Sequence, residues 1–120
     1  MRALGCLCVA LIFSAQSAVA FQGDVTGDYL CEGRNASGGV YRGAVTIVRK
    51  GDVYLVDWRI GERDTYKGIG VLTGDVLSVS YYGGITGVVA YAVGDNGVLE
   101  GKWAVLEGDG RVFQETLRRR

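Results

Sequence analysis

Aromatic side chains and a single interior carboxylate are the groups in this sequence best suited to binding chemistry. The chain has seven tyrosines and two tryptophans but no histidine, and so lacks the commonest general base and metal ligand near neutral pH. Many of its acidic residues follow glycine in short Gly-Asp segments, where turn formation explains them. No nucleophile–base pair can be assembled. The sequence therefore predicts no catalytic residue, no metal site and no cofactor, and indicates a protein that is not an enzyme.

Glu115 is the polar residue that the strand pattern singles out. It lies between Phe113 and Leu117 on the face that these apolar neighbours assign to the interior. A buried carboxylate is costly unless it is paired or hydrogen-bonded. Two interpretations stay open: a satisfied structural glutamate near a barrel end, and a polar anchor inside a ligand pocket. The hydroxyl donors that we expect for it are those of Tyr29, Tyr54 or Tyr91.

Large rings and glycines share this interior face. Gly43, Gly68, Gly70 and Gly101 are predicted to point inward, where a glycine lets a ring lie over the backbone. The pattern favours rings that fill the interior; the alternative is an aromatic-lined cavity, which a volume above about 300 Å³ would support. The candidate ligand-binding residues are Tyr29, Tyr54, Trp58, Tyr81, Tyr91, Trp103 and Glu115.

Eight strands must position these residues. Apolar and polar residues alternate with period 2, and Gly-Asp or Gly-Asn turns separate the runs. An all-β, antiparallel up-and-down meander follows, and closing it into a barrel removes the exposed edges, with an open sandwich as the alternative. The predicted strands are Gly27–Gly33, Val40–Arg49, Val53–Ile60, Asp64–Leu72, Val76–Tyr82, Gly87–Val93, Val98–Leu106 and Arg111–Leu117.

The first twenty residues have the pattern of a secretory signal peptide. Arg2 precedes an apolar run, Ala3–Phe13, and small residues lead to Ala18–Ala20, an A-x-A cleavage site. The run is shorter than the roughly 20 residues of a membrane-spanning helix. We expect export to the periplasm or the medium, with a mature chain that begins at Phe21 and forms one barrel domain over residues 21–120.

Cleavage would also remove two of the three cysteines and leave Cys31 alone. We expect Cys31 to be a small buried hydrophobe, with a reactive thiol or an intermolecular disulfide as the alternative. Formal charges balance over the whole chain, which argues against a nucleic-acid partner. No second long apolar stretch follows, so no membrane partner is expected after cleavage. Arg118–Arg120 is predicted to be a solvated tail.

Four motifs resemble small exported bacterial proteins that are often labelled fibronectin-binding protein or left uncharacterised. The resemblance extends over nearly the whole predicted mature chain. More distantly, the meander is similar to avidin and lipocalin barrels, which implies an avidin/lipocalin-like closed barrel. The motifs that carry the resemblance are Gly27–Tyr29, Tyr41–Ile47, Gly51–Trp58 and Leu99–Trp103.

Two functions remain in competition. One is an exported barrel that binds a small or amphipathic ligand within its aromatic lining. The other is a protein-interaction module, an adhesin such as a fibronectin-binding protein or an inhibitor of a host or cell-wall enzyme, that acts through its loops. A filled barrel with an ordered, protruding loop at residues 34–39 would favour the second function.

Overall fold

The strands of this protein close into a barrel. A computed structural model describes residues 23–120, so the predicted signal peptide lies outside the described residues. Each strand pairs antiparallel with its sequence neighbours, and the first also pairs with the last, which closes the barrel in the order β1 to β8. The strands are β1 Gly27–Arg34, β2 Val40–Lys50, β3 Val53–Ile60, β4 Asp64–Thr73, β5 Val76–Tyr82, β6 Thr86–Val93, β7 Leu99–Val105 and β8 Phe113–Arg119.

The predicted fold class is confirmed, and most strand ends agree within one residue. Strands β3 and β5 have the predicted bounds, and the alternation assigns the inward faces correctly. Strand β8 differs most, since it begins two residues later than predicted and ends two residues later. Arg111 therefore belongs to the β7–β8 loop. No helix within residues 23–120 is long and apolar enough to cross a membrane.

The short segment before β1 plugs one end of the barrel. Val25 is buried, and its carbonyl accepts a hydrogen bond from the Tyr29 hydroxyl at 2.7 Å. The Arg119 guanidinium donates to the carbonyls of Thr26 and Asp24, at 3.0 and 2.9 Å, and lies over the Tyr29 ring. Arg119 remains exposed but is not part of a frayed tail, because β8 continues through it and its side chain holds the segment before β1 in place.

Glycines lie directly opposite several of the interior rings, and of the four glycines that the sequence predicted to point inward Gly101 belongs to these pairs. An inward glycine exposes its backbone to the cross-strand neighbour, and a ring from that neighbour can cover it. A Cβ atom at any of these glycines would collide with the ring. The directly opposed pairs are Gly33 with Tyr41, Gly87 with Tyr81 and Gly101 with Tyr91.

Gly101 offers a test of this packing. A Cβ there would lie 2.7 Å from Cδ1 of Tyr91, a fully buried ring whose hydroxyl is hydrogen-bonded to Glu115. We expect Gly101→Ala to lower the free energy of unfolding in urea by about 1–3 kcal/mol, because the buried Tyr91 ring would have to shift to avoid the added methyl group.

The matched control is Gly39→Ala in the exposed β1–β2 loop. The nearest atoms to a Cβ there lie 3.3 Å away on the exposed Asn35 side chain. The control should change the free energy of unfolding by no more than about 0.5 kcal/mol. Equal stability of Gly101→Ala and the parent chain would contradict the proposed role of the glycine.

Candidate ligand-binding site

The end of the barrel opposite the plug holds an open cavity of about 510 Å³. Four loops surround its mouth: residues 35–39, 61–63, 83–85 and 106–112. The volume lies within the range of about 300–1,000 Å³ that is typical of small-molecule sites. The interior is thus divided. The plugged half is filled by side chains, as the sequence favoured, whereas the half toward the mouth is the aromatic-lined cavity of the alternative interpretation.

A row of five residues across five neighbouring strands forms the base of this cavity. Glu115 on β8 lies directly opposite Gly33 on β1 and Gly101 on β7. Beyond these glycines lie Tyr41 on β2 and Tyr91 on β6. We call these residues the Tyr–Gly–Glu–Gly–Tyr row. Because both neighbours of Glu115 lack side chains, the two tyrosine rings extend over the glycines toward its carboxylate.

Three donors hold the Glu115 carboxylate. The Tyr41 hydroxyl donates to Oε1 at 2.8 Å, the Tyr91 hydroxyl donates to Oε2, and the Trp58 Nε1 donates to Oε2 at 3.3 Å. Trp58 Nε1 also lies 3.2 Å from the Tyr91 hydroxyl. Glu115 is only 6% exposed. The carboxylate is therefore fixed in position by hydrogen bonds from neutral side chains.

The charge of Glu115 is not matched by a cation from the part of the chain that is described. The ion pairs in residues 23–120 join Arg42 to Glu32 and Lys67 to Asp57, on the outside of the barrel. Burial raises the pKa of the Tyr91 and Tyr41 hydroxyls, and the nearby Glu115 carboxylate raises it further. Both phenols thus remain neutral donors at physiological pH.

Aromatic rings form the walls above this base. The Trp58 and Tyr81 rings are tilted with centroids 5.6 Å apart, and Tyr66 meets Tyr81 edge-on at 6.1 Å. On the other side Trp103 packs against Phe113 at 4.7 Å. Trp103 Nε1 is buried and has no hydrogen-bond partner within the described range. Apolar rings with few polar groups are the lining expected of a pocket for a small organic molecule.

Acidic residues predominate at the mouth. Asp64, Glu107 and Asp109 line the rim, where Arg111 is the basic lining residue. The Arg111 guanidinium donates to the Ala36 carbonyl at 3.3 Å and lies 5.0 Å from the centre of the Phe113 ring. These contacts tie the β7–β8 loop to the β1–β2 loop and hold the cation at the rim. With Glu115, the lining has four carboxylates and one guanidinium.

The structure brings most of the predicted site residues together and separates two from the rest. Trp58, Tyr81, Trp103 and Glu115 line the cavity, and Tyr91 lies beneath it through its bond to Glu115. Tyr29 and Tyr54 do not line it. Tyr29 instead donates to Val25 in the plug, so neither of these two is the predicted hydroxyl donor of Glu115. The alternation of apolar and polar residues assigns both tyrosines to the correct face of the sheet, but it does not give their positions along the barrel axis.

Sequence reasoning missed several residues of the site. Tyr41 is the most important, since its hydroxyl binds Glu115 directly. Its alternation with Gly43 and Val45 on β2 was a usable signal for an inward ring, but its proximity to Glu115 depends on the closure between β1 and β8. The other cavity-lining aromatic residues that were missed are Tyr66 and Phe113.

The Cys31 thiol is buried near the Glu115 carboxylate. Within the described residues no group of three or more acidic or cysteine side chains could hold a metal ion. Cys31 is 3% exposed, and burial followed by the Glu115 charge raises the pKa of its thiol, which disfavours the thiolate needed for reactivity. Cys31 is thus buried, as predicted, with the Glu115 carboxylate nearby.

Comparisons with known proteins support the fold. No family model and no curated protein matches the chain, so neither supports the fibronectin-binding label. A redesigned β-barrel, mFAP1, solved bound to DFHBI, is similar with a TM-score of 0.65 and 17% identity, over 79% of this chain and 94% of that one. EF1p2_mFAP2b bound to DFHBI has a TM-score of 0.53 and 13% identity, over 80% and 94%. The chain is a β-barrel protein that resembles barrels solved with a ligand bound.

The hydrogen bonds to Glu115 predict how the stability of the fold changes when the acceptor oxygens of Glu115 are removed. Glu115→Met should lower the free energy of unfolding by about 1–3 kcal/mol, because the hydroxyls of Tyr41 and Tyr91 lose a buried partner. Glu115→Gln, which keeps one acceptor oxygen, should cost less. Urea unfolding at neutral pH measures both. A difference of less than about 0.5 kcal/mol between the two variants would show that acceptor loss is not the cause.

The buried phenols predict a loss of stability in alkali. Burial, and then the Glu115 carboxylate, raises the pKa of Tyr81 from 10.0 to about 12. A phenol whose pKa is higher in the folded state stabilises that state below pH 10, and this contribution is lost as pH rises through about 10 to 12. We expect the free energy of unfolding to fall across this window and Tyr81→Phe to reduce the slope. An unchanged slope in this variant would contradict the assignment.

Proposed function

We propose that this chain is an exported, non-enzymatic binding protein that holds a small organic molecule in the open half of its barrel. The observation that carries the proposal is the cavity itself, about 510 Å³ in volume, with apolar walls and a fixed carboxylate at its base. Few polar groups that converge in an apolar pocket are typical of ligand-binding sites.

The unsatisfied indole of Trp103 supports the same proposal. Its Nε1 is buried without a partner in residues 23–120. Buried donors without partners are uncommon in folded proteins and need an explanation. Burial and then Glu115 raise the pKa of the Tyr41 hydroxyl, and an interaction of that hydroxyl with Trp103 partly offsets the rise. An acceptor atom on a bound molecule would complete the hydrogen bonding of the Trp103 Nε1. The two structural neighbours, each solved with DFHBI bound, are consistent with a barrel of this shape holding a small ligand.

The competing proposal is a protein-interaction module such as a fibronectin-binding adhesin. The β1–β2 loop is ordered, since Asn35 accepts hydrogen bonds from Ser37 and Gly39 and the Gly38 amide donates to the Asn35 carbonyl. However, Asn35 and Ala36 line the cavity, so this loop is part of its mouth. An open cavity beneath the loop favours a small ligand over a filled interaction module.

A neutral fluorescent probe tests the proposed cavity. N-Phenyl-1-naphthylamine, whose emission rises in apolar surroundings, should bind the purified barrel with a Kd on the order of 10 μM. Val105→Trp, which places a large ring into the cavity lining, should abolish this binding. Val88→Trp, on the outer face at an exposed position, should retain it. Equal emission from both variants would show that the probe does not occupy the cavity.

Native mass spectrometry tests export and the natural ligand together. Protein isolated from the extracytoplasmic fraction of its own source should have the mass of a chain that begins at Phe21 and should carry a stoichiometric small-molecule adduct. A chain that retains residues 1–20 would contradict export. A bare chain from the native source, together with no naphthylamine binding, would overturn the ligand-binding proposal and favour the interaction module.

A further inference from the structure

The acceptors and charges of the cavity point to a chemical class of ligand. We propose that it is a small organic cation, an ammonium group on an aromatic or apolar body, whose nitrogen binds Glu115 at the base of the barrel. This inference rests on the proposed function, since it assigns the occupant of the same cavity. It is carried by three features of the lining: an acceptor position left open on Glu115, an excess of negative charge, and rings placed around that position.

Glu115 keeps capacity for one more donor. A carboxylate offers about four lone-pair positions. Two donors, Tyr91 and Trp58, share Oε2, whereas Tyr41 is the donor to Oε1 within residues 23–120. One lone-pair position therefore remains on Oε1, and Glu115 is one of the residues that line the cavity. A ligand donor bound at this position would add a hydrogen bond and leave in place the three that hold the carboxylate.

The charge balance of the lining favours a cation. Four carboxylates line the cavity, and the guanidinium of Arg111 is bound at the rim to the Ala36 carbonyl and the Phe113 ring. A buried carboxylate without a cation is expensive for the fold, and a positive ligand would supply the missing partner. An anionic head would meet repulsion both from the acidic rim and from Glu115.

The rings complete a site for an ammonium group. The Trp58 Nε1–H donates to Glu115, and the Trp58 ring packs against Tyr81. The Tyr41 hydroxyl also donates to Glu115, and the Tyr41 ring meets Trp103 edge-on with centroids 6.2 Å apart. Cations bind favourably over the faces of tryptophan and tyrosine. A charged nitrogen near Glu115 would therefore have aromatic groups beside it as well as the carboxylate, and its apolar body would extend toward the mouth.

Three indoles that differ only in the charge of the side chain test the inference. Calorimetry at neutral pH would compare tryptamine, a cation, with tryptophol, which is neutral, and indole-3-acetate, an anion. Tryptamine should bind at least about tenfold more tightly than tryptophol, because a charge-assisted hydrogen bond and cation–π contacts are added. Indole-3-acetate should bind most weakly of the three.

Substitution of Glu115 tests whether this residue causes the preference for a positively charged ligand. Glu115→Gln should bring the affinity for tryptamine to within about threefold of that for tryptophol, since the charge-assisted bond is lost. Glu100→Gln is the matched control, because Glu100 is exposed on the outer face and contacts Thr116 there. It removes the same charge outside the cavity and should keep the tenfold preference.

The outcomes separate the two proposals. Tryptophol binding as tightly as tryptamine, or no saturable tryptamine binding while N-phenyl-1-naphthylamine binds, would overturn the cationic ligand and leave the ligand-binding barrel intact. Failure of every probe, the naphthylamine included, would remove the proposed function and this inference with it. If Glu115→Gln does not fold, the preference of the unmodified protein among the three indoles still decides the question.

Discussion

The Tyr–Gly–Glu–Gly–Tyr row is the constraint on which the rest of this barrel depends. A carboxylate at the centre of a small barrel is costly unless donors reach it. Donors can reach it here because Gly33 and Gly101, its two cross-strand neighbours, have no side chains. Tyr41 and Tyr91 extend over those glycines and donate to it. A larger residue at either glycine would displace a ring and leave the carboxylate without its donor.

The row also divides the interior into two functional halves. The half below it supplies most of the buried apolar core, and the residues that fill it include Val25, Ile47, Leu77, Leu99 and Leu117. The Arg119 guanidinium closes this end through its hydrogen bond to the Thr26 carbonyl. Above the row, the Tyr81 ring lies over Gly87 and the Trp58 ring lies beside Gly68, and an aromatic-lined cavity remains. An eight-stranded barrel has an interior just large enough for either outcome.

The sequence determines the strands and their faces, but not the heights of their residues. Period-2 alternation is local, so it correctly assigned Glu115, Trp58 and Trp103 to the interior. The position of a residue along the barrel axis depends on the stagger between neighbouring strands. This stagger adds up from strand to strand, and the register between β1 and β8 fixes its total. For that reason Tyr29 and Tyr54 were grouped with a site at the other end, and Tyr41 was missed although its hydroxyl lies 2.8 Å from Glu115.

We propose that a charge is retained at this position for the ligand as well as for the hydrogen-bonded row. Barrels of this size can be filled by apolar side chains alone, and a buried carboxylate without a cation contributes little net stability. The three donors reduce the cost of burying Glu115, yet they leave one lone-pair position on Oε1 without a hydroxyl or indole donor. A purely structural glutamate would gain from a fourth donor. An anchor for a cationic ligand needs that position to stay open.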